Sequence, residues 1–190
     1  RLIYYAAFLL LFVLFFQRAM IVTDQGIFTG GSTHLGDLPF HLGAIFGFTD
    51  GANFPPQNPS FAGARFSYPF IADLVTAAFM DWGAGVTAAM VVQNVAWAFS
   101  LLIILERFVL TLTGDRLAGK IAPVLLFLSG GLGFIWFFGD FGAQAKGFFD
   151  FVWQIPKDYT ISDNFRWGNS LVTLFITQRS LLLGMPLTIV

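Results

Sequence analysis

The feature that most constrains this chain is the run from Trp82 to Leu105, which contains no charged side chain. A helix that crosses about 30 Å of hydrocarbon needs roughly 20 predominantly apolar residues. Residues 2 to 22 and 121 to 139 form similar runs, and a fourth run covers residues 180 to 190. The pattern predicts an all-α integral membrane protein with about four transmembrane helices in this part of the chain.

The composition favours the same class of protein. Of the 190 residues, 56% are hydrophobic, 25 are phenylalanine and only 11% are charged, and the mean hydropathy is +0.74. A soluble domain of this size cannot bury so much apolar surface. The net charge is −1 and the basic residues are scattered, which argues against nucleic acid as a partner. The absence of cysteine excludes disulfides, thiol catalysis and thiolate metal sites.

Basic residues in short loops predict on which side of the membrane a loop lies. The connection over residues 106 to 120 contains Arg107, Arg116 and Lys120, so we expect it to be cytoplasmic. The two longer loops, residues 23 to 81 and 140 to 179, then lie on the extracytoplasmic side.

The first long loop contains two apolar segments, residues 40 to 48 and 68 to 80, that are too short to span the bilayer. We expect both to be helices that lie in the membrane interface. Loops of this length are uncommon unless they carry function. Since the chain begins and stops inside apolar runs, we interpret residues 1 to 190 as a single transmembrane domain that is part of a longer protein.

The stretch GDLPFHL, residues 36 to 42, places Asp37 and His41 four residues apart. In a helix, both side chains then lie on one face. The carboxylate could take a proton from an attacking hydroxyl or hold a divalent cation, and the imidazole could share either role. Alternatively, Asp37 caps the helix that contains Pro39, and His41 is only a polar tip at the interface. The residues alone leave both interpretations open.

Further candidate binding residues are scattered along the chain. Arg179, at the outer end of the last run, can pair with a phosphate through two hydrogen bonds or simply extend to the interface. Arg65 has the same two interpretations. Tyr68 is either a ligand contact or an aromatic-belt residue, and His34 is a loop residue that can touch a ligand. Asp73 can cap a helix, pair with Arg65 or bind substrate, and of these we expect the ion pair with Arg65.

Several other functions lack support in the sequence. The stretch GDRLAGK, residues 114 to 120, has the spacing of a phosphate-binding loop. However, Ile121 stands where Ser or Thr would hold magnesium, so we expect no nucleotide site. Neither histidine lies in a predicted span, which argues against haem. The predicted spans also lack the buried ionisable residues that are typical of ion transport.

The layout resembles that of the GT-C superfamily of polytopic membrane glycosyltransferases, which use polyprenyl-phosphate-linked sugars at the outer face of the membrane. In that family, a first span leads into a long external loop that opens with an acidic motif. The loop continues through interfacial helices and a segment that contains Tyr and Pro. The counterparts here are GDLPFHL, residues 36 to 42, and AGARFSYPFIADLVTAAF, residues 62 to 79.

The resemblance implies that Asp37 is the catalytic acid of the first loop, acting as general base on an acceptor hydroxyl or as a metal ligand. It also implies that Arg179 and Arg65 bind the phosphate of a lipid-linked sugar donor. Many relatives have two adjacent acidic residues, whereas Leu38 follows Asp37 here, so a divalent cation stays an open cofactor.

The expected location is a bacterial inner membrane with the active face outward and membrane lipids as partners. A second interpretation is a non-catalytic transmembrane subunit, whose aromatic surface contacts other subunits of a larger membrane complex.

Overall fold

The computed structural model describes residues 2–30, 34–131, 133–157, 159 and 168–190. This part of the chain is mostly helical, which confirms the predicted helical class. The α-helices are α1 (Leu2–Ala19), α2 (Asp37–Thr49), α3 (Ile71–Asp81), α4 (Val86–Thr113), α5 (Arg116–Leu128), α6 (Phe134–Gly142), α7 (Phe148–Trp153) and α8 (Arg179–Thr188). A π-helix over Leu171–Phe175 precedes α8, and strands β1 (Met20–Thr23) and β2 (Gly26–Thr29) form an antiparallel hairpin.

Two of the described helices, α1 and α4, are long and apolar enough to cross a membrane by length and composition. A signal sequence and the core helix of a soluble protein can meet the same criterion. Helix α4 runs past the expected end at Leu105 and stops at Thr113, where Gly114 takes the left-handed conformation with φ of 69°. Glycine adopts this conformation without a steric penalty and commonly ends a helix.

The structure differs from the expected first span at its C-terminal end. Helix α1 stops at Ala19, and residues 20 to 23 form β1 instead. The β-branched residues Ile21, Val22 and Thr23 favour a strand. A two-residue turn connects β1 to β2, and Gly26 after it has a φ of +134°, which glycine tolerates best.

The expected third span, residues 121 to 139, is not one continuous helix. Helix α5 ends at Leu128 and α6 begins at Phe134. Gly130, Gly131 and Gly133 occupy the break, and glycine disfavours a helix interior by about 1 kcal/mol relative to alanine. Because α5 and α6 are both short, neither helix is long enough to qualify as a membrane span.

Helix α4 is the centre of the helical packing. It contacts α1, α3, α5 and α8. Phe8, Phe12 and Phe16 form the buried face of α1, and the rings of Phe12 and Phe127 meet edge to face with centroids 4.8 Å apart. The spacing of four residues between Phe8, Phe12 and Phe16 keeps these side chains on one face of α1.

Helices α2 and α3 correspond to the two short apolar segments of the first long loop. They pack against each other, and α3 also packs on α4. Gln93 of α4 fixes this contact, because its Nε2 donates to the Ala72 carbonyl at 2.9 Å and its Oε1 accepts from the Thr76 hydroxyl at 3.0 Å. The helix positions are as expected, and their location in the interface stays a prediction.

A polar cluster joins α1, α4 and α5, and we call it the Glu106 cluster. Glu106 accepts hydrogen bonds from the Tyr5 hydroxyl at 2.9 Å and from Lys120 Nζ at 2.8 Å. The Tyr4 hydroxyl donates to the Lys120 carbonyl at 3.0 Å. At Gly119, a Cβ atom would stand 3.0 Å from the Glu106 carbonyl oxygen, so glycine permits the close approach of α5 to α4.

Candidate functional site

Three ionisable side chains from three helices meet in the protein interior. Asp73 of α3, His41 of α2 and Arg179 of α8 have exposed fractions of 0%, 1% and 1%. Asp73 lies on the buried face of α3 with Ala72, while Arg179 opens α8. We call these three residues the Asp73 cluster.

The carboxylate of Asp73 is the common partner in this cluster. Nδ1 of His41 lies 3.0 Å from both carboxylate oxygens, and Nη2 of Arg179 donates to Oδ1. The second ring nitrogen of His41, Nε2, lies 3.2 Å from the Thr177 carbonyl oxygen. Charged groups are rarely buried without partners. The pairing of Asp73 with His41 and Arg179 therefore explains how these side chains can be buried in the core.

Two nitrogens of the Arg179 guanidinium are not used by this pairing. Its Nε and Nη1, together with Nδ1 of His34 and Oδ1 of Asn94, are buried and have no hydrogen-bond partner among the described residues. All three residues line one small cavity of about 10 Å³. Unpaired buried polar groups are destabilising, and a polar ligand in this cavity would supply the missing hydrogen bonds.

A larger, mostly apolar cavity of about 410 Å³ adjoins the first one. Ala19, His34 and Ile176 line both cavities. The remaining wall of the larger cavity, which we call the groove, is formed by Phe15, Arg18, Gly30, Val152, Trp153, Ile155 and Val172. A cationic pocket beside an apolar groove fits a ligand with an anionic head and an apolar tail.

His34 stands between these two cavities. Burial, and then the charges of Arg179 and His41, lower the pKa of His34 from 6.5 to about 4. The ring is therefore neutral at pH 7 and adds no positive charge to the site. In its neutral form, Nδ1 can either donate or accept a hydrogen bond, depending on the tautomer.

Asp37 lies in the first turn of α2, one turn before His41. Its side chain makes no capping hydrogen bond and is half-buried. Burial is the main cause that raises the pKa of Tyr68. The charges of Asp37 and Asp73 raise it further. The Tyr68 hydroxyl donates to Gln178 Oε1 at 2.7 Å, and Gln178 precedes Arg179. This hydrogen bond joins Tyr68 to the residue that precedes Arg179.

Arg65 does not join the Asp73 cluster. Its side chain is exposed, its backbone pairs with Gln57, and it lines a separate open cavity of about 460 Å³ with Phe66 and Phe70. The expected ion pair between Asp73 and Arg65 is therefore wrong. The reason is that Asp73 points from α3 into the core, where Arg179 and His41 hold it.

Sequence reasoning missed Asn94 and the role of Asp73. Both are polar residues inside apolar runs, and this is the signal that could have singled them out. The pairing of Asp73 with Arg179 could not be predicted from the sequence, because Arg179 lies 106 residues away along the chain.

No group of three or more His, Asp or Glu side chains suited to a metal ion occurs among the described residues. Asp37 is the carboxylate that we expect to hold a divalent cation if the reaction uses one. No protein-family model matches the chain, and neither a curated protein nor a solved structure matches it. The chemistry of the Asp73 cluster and its cavities is therefore the guide to function.

Proposed function

We propose that the chain is part of an integral membrane glycosyltransferase of the GT-C kind. In this proposal, the enzyme transfers a sugar from a polyprenyl-phosphate-linked donor to an acceptor hydroxyl at the extracytoplasmic face. The observation that carries the proposal is that Nε and Nη1 of Arg179 are buried without a partner among the described residues, and that Arg179 lines a cavity that adjoins the apolar groove.

The exposure of the two longest helices supports the membrane location. Only 22% of the most apolar stretch of α1 and 39% of that of α4 are buried, whereas the core helix of a soluble protein would be mostly buried. On α1, the exposed side chains include Leu9, Leu10 and Leu14. Lipid chains would cover such a surface without loss of hydrophobic stabilisation.

Donor binding follows from the charge and shape of the site. The donor phosphate accepts a hydrogen bond from Nε or Nη1 of Arg179, while Nη2 between them stays on Asp73. The polyprenyl chain lies in the groove against Phe15 and Trp153. Because the small cavity holds about one water molecule in this structure, the phosphate enters as the His34 side chain, which borders both cavities, moves aside.

The transfer step uses the carboxylate of Asp37. Asp37 takes the proton of the acceptor hydroxyl as its oxygen attacks the anomeric carbon. The bond between that carbon and the phosphate oxygen breaks, and polyprenyl phosphate leaves with the added negative charge. Arg179 stabilises this charge as it develops.

The test is sugar transfer by the full-length protein in liposomes that contain a polyprenyl-phosphate-linked sugar. We expect Asp37→Asn to lower the transfer rate by roughly 100-fold or more, the usual contribution of a general base. Asp50→Asn is the matched control, because Asp50 is an exposed carboxylate at the other end of α2. An Asp37→Asn enzyme that keeps the full rate would contradict the proposed role.

The alternative function, a non-catalytic membrane subunit, is favoured by the aromatic surface of α6 and α7. Trp136, Phe138, Phe149 and Trp153 are all exposed there, and aromatic residues are enriched at protein interfaces. This alternative predicts no sugar transfer by the wild-type protein, and equal recovery of partner subunits with the Asp37→Asn and Asp50→Asn variants.

A further inference from the structure

Each ring nitrogen of His41 faces a group that can only accept a hydrogen bond. Nδ1 lies 3.0 Å from the Asp73 carboxylate, and Nε2 lies 3.2 Å from the Thr177 carbonyl oxygen. A neutral imidazole carries one N–H group, so it can donate to only one of these acceptors. An imidazolium donates at both positions.

We infer that His41 is held as an imidazolium and acts as a positioning residue for Arg179, not as a base. Two cations, His41 and Arg179, then share the single carboxylate of Asp73, which leaves the Asp73 cluster with a net charge of +1. The whole cluster is buried. A net positive charge in a site of low polarity favours the binding of an anion in the adjoining cavity.

The groups around His41 are consistent with this assignment. Helix α3 contributes Asp73, and α8 contributes Arg179. The Tyr68 ring lies edge-on to the imidazole, with centroids 5.8 Å apart, and its hydroxyl donates to Gln178. On its own helix, His41 has Asp37 one turn away. The positive charge is thus faced by two carboxylates and one other cation among the described residues, while neutral His34 adds no charge at pH 7.

The geometry also shows how His41 positions Arg179. Through Nδ1 it orients the carboxylate that receives Nη2 of Arg179, and through Nε2 it holds the backbone of Thr177, two residues before Arg179. Both contacts fix the position of the Arg179 guanidinium, which lines the small cavity. Since neither ring nitrogen keeps a free lone pair, His41 cannot accept the proton of an acceptor hydroxyl.

The direct test is ¹⁵N NMR of the full-length protein in lipid nanodiscs at pH 7, with histidine labelled in the ring nitrogens. We expect the His41 ring to show two protonated nitrogens and the His34 ring to show one. The His41→Gln variant assigns the signal by its loss. Should that variant fail to fold, contacts of the ring protons with the Tyr68 ring assign it instead. A His41 ring with one protonated and one unprotonated nitrogen overturns the inference.

A kinetic test measures the consequence for the donor, and this part rests on the proposed function. We expect His41→Gln to raise KM for the lipid-linked donor roughly tenfold, with kcat changed less than KM, because an anion-binding contribution is lost. Lys146→Gln, which removes an exposed cation on the turn before α7, should change neither value. A base would instead give a large loss of kcat.

The two tests fail separately. If the NMR spectrum shows an imidazolium but the wild-type protein transfers no sugar, the charge assignment stands and the proposed transferase function is wrong. If sugar transfer is observed but His41 is neutral, the transferase function stands and this inference is wrong.

Discussion

Among the described residues, the Glu106 cluster and the Asp73 cluster are both buried, but they differ in one respect. Asn94, which lines the cavity beside the Asp73 cluster, and Glu106 both belong to α4 and lie about 18 Å apart along its axis at a rise of about 1.5 Å per residue. In the Glu106 cluster, the carboxylate accepts hydrogen bonds from both Tyr5 and Lys120. No buried polar atom in this cluster lacks a partner among the described residues. Around the Asp73 cluster, four such atoms remain unpaired and surround one cavity.

This difference separates a structural role from a binding role. A fully paired polar cluster holds helices together and specifies their contacts. A cluster with an unpaired cationic edge is less stable without a ligand and provides hydrogen bonds that a ligand can use. We therefore assign the Glu106 cluster to the packing of α1, α4 and α5, and the Asp73 cluster to ligand binding.

Among the substitutions that test the difference between the two clusters, removal of the Asp73 carboxylate should have the largest effect on stability. Asp73→Ala leaves two buried cations without a counter-charge and should lower the free energy of unfolding by about 3–5 kcal/mol. Glu106→Ala should lower it by about 1 kcal/mol, because its partner Lys120 is 27% exposed and partly solvated. Reversible unfolding in mixed micelles measures both. Asp81→Ala, at the exposed end of α3, should change little, and equal losses at Asp73 and Glu106 would remove the distinction.

Replacement of Arg179 by lysine tests whether its shape matters in addition to its charge. Lysine keeps the positive charge but lacks the planar guanidinium, which can pair with Asp73 through Nη2 and still donate to a ligand through Nε or Nη1. We expect KM for the lipid-linked donor to rise about tenfold, which corresponds to about 1.4 kcal/mol. Arg116→Lys, an exposed position at the start of α5, is the control. Unchanged kinetics in Arg179→Lys would argue against recognition of a phosphate by the guanidinium.

The neutral state of His34 makes the stability of the site depend on pH. Its pKa is about 4 in the folded protein against 6.5 for the free side chain, so the unfolded chain binds a proton more readily. The stabilisation is complete above about pH 6.5 and is lost as the pH falls toward 4, by an amount on the order of 1 kcal/mol after allowance for solvent screening. Unfolding measured at pH 7 and pH 5 should show this loss in the wild type and a smaller one in His34→Gln. Parallel pH curves would contradict the burial of a neutral ring.

The smallest effect is expected for Asn94→Leu, which should raise the stability of the protein and weaken donor binding. Asn94→Leu removes an unpaired buried acceptor and fills part of the small cavity, so the free energy of unfolding should rise by about 0.5–1 kcal/mol. Donor binding should weaken at the same time, because the cavity is reduced. Ser100→Leu, an exposed position on the same helix, is the control for helix propensity. A variant that is destabilised and still binds donor would show that Asn94 is structural.

Local patterns in the sequence predicted the helices better than their partners. The apolar runs located α1 and α4, and the two short segments of the first loop became α2 and α3. The break between α5 and α6 follows from local glycines. The hairpin after α1 was not predicted, because its β-branched residues continue the apolar run and hydropathy alone does not separate strand from helix there.

The candidate site depends on contacts that no local pattern contains. Asp37, His41, His34, Tyr68 and Arg179 were all singled out from the sequence, but their mutual geometry was not. Asp73 contacts His41 across 32 residues and Arg179 across 106, and such pairings follow from packing of the helices. Glu106 was expected in a cytoplasmic loop, yet it lies within α4, where it pairs with Lys120 of α5.

The central claim is that the Arg179 cavity and the groove bind an anionic lipid phosphate. Its most direct test is the affinity of the full-length protein in nanodiscs for farnesyl phosphate, compared with farnesol and with inorganic phosphate. The account predicts that farnesyl phosphate binds at least about tenfold more tightly than either fragment, and that Arg179→Gln abolishes its advantage over farnesol. Equal affinity for farnesol and farnesyl phosphate, or an unchanged preference in Arg179→Gln, would contradict it.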